Sequence, residues 1–108
     1  MRVAVIGARR ARTGTGAHLA NFLVEEGADV VALVGTTKDS AIAAVAELEA
    51  RSGHAAKPLS DTDALEQLDL DAWVIASPDR THGRLVSRAL HAGCHVLCEK
   101  PLAWDGAN

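Results

Sequence analysis

The sequence predicts an α/β fold, one open sheet of about five parallel strands with helices on both faces. Three observations predict it. Short apolar runs rich in β-branched residues recur along the chain, stretches of helix length separate them, and glycine or proline punctuates the junctions. The alternation β-α-β-α-β-α-β-α-β implies right-handed crossovers and a doubly wound sheet in the order 3-2-1-4-5.

The first strand is Arg2-Val3-Ala4-Val5-Ile6, closed by Gly7. Such a run, apolar on both faces, suits a central parallel strand. A polar turn, Ala8 to Gly16, leads into a first helix with apolar positions at Leu19, Phe22, Leu23 and the stem of Glu26, stopped at Gly27. Asp29 to Val34 is the second strand. A second helix begins with Asp39 or Ser40 as its cap, runs to Arg51 with Ile42, Val45 and Leu48 on one face, and ends at Gly53. Between His54 and Leu59 a short edge strand is expected, since Pro58 is tolerated only at an edge. Ser60 to Asp63 then caps a short helix carrying Leu65 and Leu68. Ala72 to Ala76 is a buried strand, Asp79 to Ala92 a helix, and the segment around Val96 a final strand. Trp73 belongs to the sheet core, and His18 and Trp104 to packing.

At 108 residues the chain fits one domain with one core. Its net charge of −3, with the signs interleaved, leaves no basic face for nucleic acid or an anionic membrane. The apolar runs are strand-sized and the amino terminus enters a strand at once, so neither a transmembrane span nor a signal peptide is expected and the location is read as cytoplasmic. Cys94 and Cys98, four apart on one predicted strand, would have Cα atoms roughly 13 Å apart. That is beyond disulfide reach, and the same geometry argues against a metal site with His91 or His95. Both cysteines are read as small buried hydrophobes.

A glycine turn between a first strand and first helix aims backbone N–H groups and a helix dipole at a pyrophosphate. The spacing G-x-G-x-x-G is absent: Gly7 fits the first glycine, Arg9 and Arg12 occupy the next two positions, and glycine returns at Gly14 and Gly16. An insertion that moves the helix start to Gly14 or Thr15 accounts for this. Gly7, Arg12, Thr13, Gly14 and Thr15 are the candidate phosphate contacts. Arg9, Arg10 and Arg12 either grip phosphate oxygens or stand in solvent. After the second strand, where a carboxylate usually accepts from the ribose 2′-hydroxyl of NAD, the chain has Gly35-Thr36-Thr37-Lys38. Hydroxyls and an ammonium without a carboxylate favour NADP over NAD. The competing readings are that Asp39 reaches the ribose, or that neither sugar is discriminated.

The last strand ends in Cys98-Glu99-Lys100-Pro101, and ligands of open α/β sheets bind outside the carboxyl ends of the strands. Ser77, Pro78, Glu99 and Lys100 are therefore placed on one crevice. These segments resemble the Gfo/Idh/MocA oxidoreductases, the glucose-fructose oxidoreductase and inositol 2-dehydrogenase family. The resemblance lies in Ser77, Pro78 and His82, then Ala89, Leu90, Ala92, Gly93, His95 and Val96, then Glu99, Lys100 and Pro101, all in register over nearly the whole chain. The longer glycine loop depart from the family's pattern, as does Asp79 in place of its usual Asn, since a carboxylate cannot donate as an amide does.

The resemblance implies a Rossmann-type domain that binds NAD or NADP, with Lys100 managing the proton of a substrate hydroxyl. Glu99 would orient the nicotinamide side, and Ser77, Pro78 and His82 would line the cofactor. Taken without it, Glu99 and Lys100 read as a surface ion pair, Asp79 as a helix cap and His82 as a helix-start residue satisfied by backbone. It also implies a second α/β domain that this chain lacks, so residues 1–108 are expected to be a fragment of a longer, homo-oligomeric dehydrogenase of sugars or polyols, inactive alone and exposing an apolar sheet edge. A non-catalytic nucleotide-binding or assembly module that retains the fold is the alternative.

Overall fold

The structure, a computed structural model, describes residues 1–7, 15–76 and 82–98. Five strands form one parallel sheet in the order β3-β2-β1-β4-β5, as expected: β1 (Arg2–Ile6), β2 (Asp29–Val34), β3 (Lys57–Leu59), β4 (Ala72–Ile75) and β5 (His95–Cys98). The α-helices are α1 (Thr15–Glu25), α2 (Lys38–Ser52) and α3 (His82–His91), with one 3-10 turn at Leu65–Gln67. Alternation along β1 divides the core. Val3 and Val5 face α1 and α2 with Val30, Leu33, Leu48 and Val74, whereas Ala4 and Ile6 face α3 and the 60–71 connection with Leu65, Trp73, Ile75 and Leu85. Trp73 is wholly buried, as its place in the sheet predicts.

The inward side of each helix keeps Leu23, Val45 and Leu48 from the sequence reading but turns Phe22 and Ile42 out. In α1 the inward residues are Ala20, Leu23 and Val24, while Phe22 is 57% exposed. In α2 they are Ala41, Ala44 and Leu48 with Val45 partly buried, and Ile42 is 48% exposed. Small residues let the helix axis come close to the sheet. That close approach favours the alanine stripe over Phe22 and Ile42, a rotation smaller than the step of about 100° between successive helix residues.

Caps also move. The N-cap of α2 is Thr37, extended at φ −133° and ψ 162°: its Oγ1 accepts from Ser40 N at 3.0 Å and its own N–H donates to Ser40 Oγ at 3.2 Å, a reciprocal capping box. Gly53 closes this helix as expected, in the left-handed region at φ 75°. Ser60 to Asp63 do not cap a helix through their side chains; Asp61 Oδ1 accepts from Asp63 N at 3.0 Å, and only the three-residue 3-10 turn follows. Cys94 precedes β5 and does not lie on it. Its thiol is buried and donates to the Leu70 carbonyl at 3.2 Å.

At the amino ends of the strands, away from the crevice, Arg2 ties the sheet down, donating to the carbonyls of Asp69 and Leu68 at 2.9 and 2.8 Å. No helix among the described residues is long and apolar enough to cross a membrane. Leu97 on the edge strand β5 and Leu90 on α3 are 52% and 60% exposed.

Candidate functional site: the carboxyl-end crevice

The chain leaves β1 in one direction through β2 to β3 and later in the other through β4 to β5, so the sheet reverses its order between β1 and β4. A crevice opens at such a switch point. The strand registers make its lip level: Leu59 pairs with Val34, Val34 with Ile6, Ile6 with Ile75 and Ile75 with Cys98. Backbone bonds extend the alignment by one residue, from Gly7 N to the Val34 carbonyl at 2.9 Å, Gly35 N to the Leu59 carbonyl at 2.9 Å and Ala76 N to the Ile6 carbonyl at 2.7 Å. Gly7, Gly35 and Ala76 thus stand side by side along the rim.

Gly7 turns there with φ 83°, a left-handed conformation that glycine reaches without a Cβ penalty and that lets a backbone turn pass close to a ligand. α1 begins at Thr15, within the Gly14 or Thr15 start that an insertion predicts. Arg9, Arg10, Arg12, Thr13 and Gly14 lie outside the described residues, as do Ser77, Pro78, Asp79, Glu99, Lys100, Pro101 and Trp104. His82 opens α3, though its side chain is outside the description. Cys98, the residue before Glu99, ends β5 level with the strand ends beside Gly7 and Gly35.

The turn after β2 sorts the three residues expected there. Thr36, Thr37 and Lys38 are all exposed. Thr37 spends its hydroxyl on the α2 cap, and Lys38 Nζ donates to the Pro58 carbonyl at 3.2 Å, across the β3 edge. The sequence reading missed the cap, although Thr37-x-x-Ser40 is a variant of the capping-box spacing. It also missed why glycine stands at 35. A Cβ built on Gly35 would lie 2.5 Å from Ser40 Oγ and 2.9 Å from Ala41 N, so the first turn of α2 closes this position to side chains. Gly35→Ala should therefore cost about 1–3 kcal/mol, the usual range for overpacking. Urea unfolding measures it, and an unchanged midpoint would mean that the α2 start yields freely.

A left-handed glycine after β1 and a helix starting beyond it are features a dinucleotide uses at the strand ends, so the described residues fit such a group. No group of His, Cys, Asp or Glu among the described residues could hold a metal ion.

Comparison with known proteins agrees. The model of the family GFO_IDH_MocA, described as an oxidoreductase family with an NAD-binding Rossmann fold, matches residues 1–108. Inositol 2-dehydrogenase 1 of Saccharopolyspora erythraea is 38% identical over 104 residues, 96% of this chain and 28% of that protein. The chain thus spans less than a third of the length of this curated relative. Among solved structures, the KijD10 3-ketoreductase from Actinomadura kijaniata, in complex with NADP and TDP-benzene, superposes with a TM-score of 0.68 at 32% identity, over 94% of this chain and 29% of that one. The WlbA dehydrogenase from Bordetella pertussis, in complex with NADH and UDP-GlcNAcA, superposes with a TM-score of 0.70 at 27% identity, over 94% and 30%. With its whole length matched and its strand order and crevice in place, this chain belongs to the Gfo/Idh/MocA oxidoreductase family and is an NAD-binding Rossmann domain of it.

Proposed function

We propose that this chain is the nucleotide-binding domain of a dehydrogenase that moves a hydride between a nicotinamide and the hydroxyl-bearing carbon of a sugar, polyol or similar compound. The observation that carries the reading is the level row of strand ends at the switch point, with Gly7 left-handed at its centre. The named relative that acts on inositol and the two nucleotide-sugar structures support the substrate class.

The bound nicotinamide supplies the hydride acceptor or donor. The protein's tasks are to hold it and to manage a proton. In this reading Gly7 and the turn through Arg12, Thr13, Gly14 and Thr15 take the pyrophosphate with backbone N–H groups and cationic charge. Ser77, Pro78, His82 and Glu99 border the nicotinamide side. Lys100 holds or releases the proton of the reacting hydroxyl, a task for which burial or neighbouring cations lower a lysine toward neutrality. Pro101 fixes the backbone and aims that lysine. The wider reading is of a cytoplasmic homo-oligomer in which a further domain completes the substrate pocket.

At the adenosine ribose, position 35 is closed and no carboxylate follows β2 until Asp39, which favours NADP. Thr36 and the α2 start face the sugar. Titrating the protein with NADP and NAD side by side tests both parts. NADP is expected to bind more tightly; tighter NAD rejects the preference, and binding of neither rejects the dinucleotide reading.

A further inference from the structure

The sheet face that carries Trp73 is covered unequally. Among the described residues α3 is the one α-helix on it, and the 60–71 connection with its 3-10 turn covers the rest. One side chain joins the two parts. Arg88 donates from Nε to Glu66 Oε2 at 2.8 Å and from Nη2 to Glu66 Oε1 at 2.6 Å, a bidentate fork. Its Nη1 donates to Thr62 Oγ1 at 2.8 Å, and Nη2 also donates to the Thr62 carbonyl at 2.7 Å. The guanidinium carbon lies over the Trp73 ring, 5.3 Å from its centroid. Hydrogen bonds from Arg88 hold the Glu66 carboxyl below its ordinary pKa, so the pair is charged at neutral pH.

These contacts do something that the apolar ones cannot. Leu85, Val86 and Ala89 press α3 onto the sheet, but apolar attraction is non-directional and tolerates sliding and rotation. A bidentate fork fixes direction as well as distance. Arg88 stands about 9 Å along the helix axis from His82, at 1.5 Å per residue, so a tilt or turn of α3 at Arg88 displaces its first turn at the crevice.

We propose that Arg88 is a positioning residue for the nicotinamide half of the crevice: by locking the rotation and height of α3 against Thr62, Glu66 and Trp73, it sets where the first turn of α3 stands beside the ends of β4 and β5. The inference rests on the dinucleotide reading above. The adenosine half of a dinucleotide lies over the end of β2, where its ribose is read, and the nicotinamide half lies over β4 and β5. α3 packs against β4 and β5, so loosening it weakens a dinucleotide and spares a mononucleotide confined to the adenosine half.

Calorimetric titration of the full chain and its Arg88→Lys variant with NADP, NAD and 5′-AMP tests this. The dissociation constant of the dinucleotides is expected to rise about fivefold, the equivalent of one hydrogen bond's net free energy, while that of 5′-AMP is unchanged. A merely structural role would weaken 5′-AMP as much as the dinucleotides, and that result overturns the proposal, as does no change in any ligand. Glu66→Gln removes one acceptor charge with little change of shape. It is expected to give a smaller rise with the same split, and it decides the matter if Arg88→Lys does not fold. A parent protein that binds 5′-AMP and neither dinucleotide, or none of the three, defeats the dinucleotide reading itself, and the proposal falls with it.

Discussion

Trp73→Ala should lower the unfolding free energy by about 3–5 kcal/mol, the range for deleting a large aromatic from a packed core. The indole is wholly buried on β4, paired in register with Ala4 of β1 on one side and Val96 of β5 on the other. Leu65, Leu85 and Ala89 pack in the same core, so the cavity left by alanine has walls on several elements and cannot collapse by moving one of them. Arg88 would also lose the ring beneath its guanidinium, a contact worth about 0.5–2 kcal/mol. Domains of this size hold roughly 5–15 kcal/mol in total, so the variant should be substantially unfolded near its parent's midpoint. Trp73→Phe is the informative partner. Trp73 Nε1 is buried without a hydrogen-bond partner among the described residues, so phenylalanine gives up volume and also removes an unsatisfied donor. It should cost clearly less than alanine. Denaturant melts of both variants check the pair; a loss below about 1 kcal/mol for alanine would place Trp73 outside any tightly packed core.

On the proposed dehydrogenase function, Lys100→Ala in a full-length protein carrying this domain should lower kcat by about 10²- to 10⁴-fold, the usual contribution of a positioned acid or base. Dinucleotide affinity should barely move. The last residue of β5, Cys98, is level with Ile75 and, through it, with the strand ends beside Gly7, and Glu99 and Lys100 follow it in the sequence. A lysine that manages a substrate proton acts in the transition state, and its loss appears in kcat and kcat/KM together. Steady-state kinetics with a polyol and a sugar, set beside dinucleotide titration, separate the roles. Equal losses in turnover and in cofactor affinity would remove Lys100 from proton transfer and make it a cofactor contact.

The strands, their order and the crevice were legible in the sequence because each rests on local signals. Val3 to Ile6, Val30 to Val34 and Ala72 to Ile75 are apolar on both faces, which only a sheet covered by helices accommodates, and intervening helices force parallel crossovers. Gly7 and Gly53 were legible for a similar reason, since the turn each makes needs a positive φ. The resemblance then assigned chemistry to Lys100, a residue that spacing alone leaves as one half of a surface ion pair.

The exact rotation of α1 and α2 was not legible: Leu23, Val45 and Leu48 face inward as read, but Phe22 and Ile42 are as apolar as the residues that were buried and only the distance between helix and sheet favours Ala20, Ala41 and Ala44. Nor could the turn after β2 be read residue by residue, since the partners that occupy Lys38 and close position 35 lie on β3 and α2. Arg88 shows the same division over a longer span. Its helix follows from its sequence, yet its acceptors are Thr62 and Glu66, 26 and 22 positions away. The amino-acid order determined the strands, their direction and the end of the sheet at which ligands gather, because hydrophobic periodicity and glycine torsions act over a few residues. Tertiary packing alone decided that the Lys38 ammonium at that end is already engaged, on the Pro58 carbonyl of β3, because directional bonds between distant segments exist only after the sheet has brought those segments together.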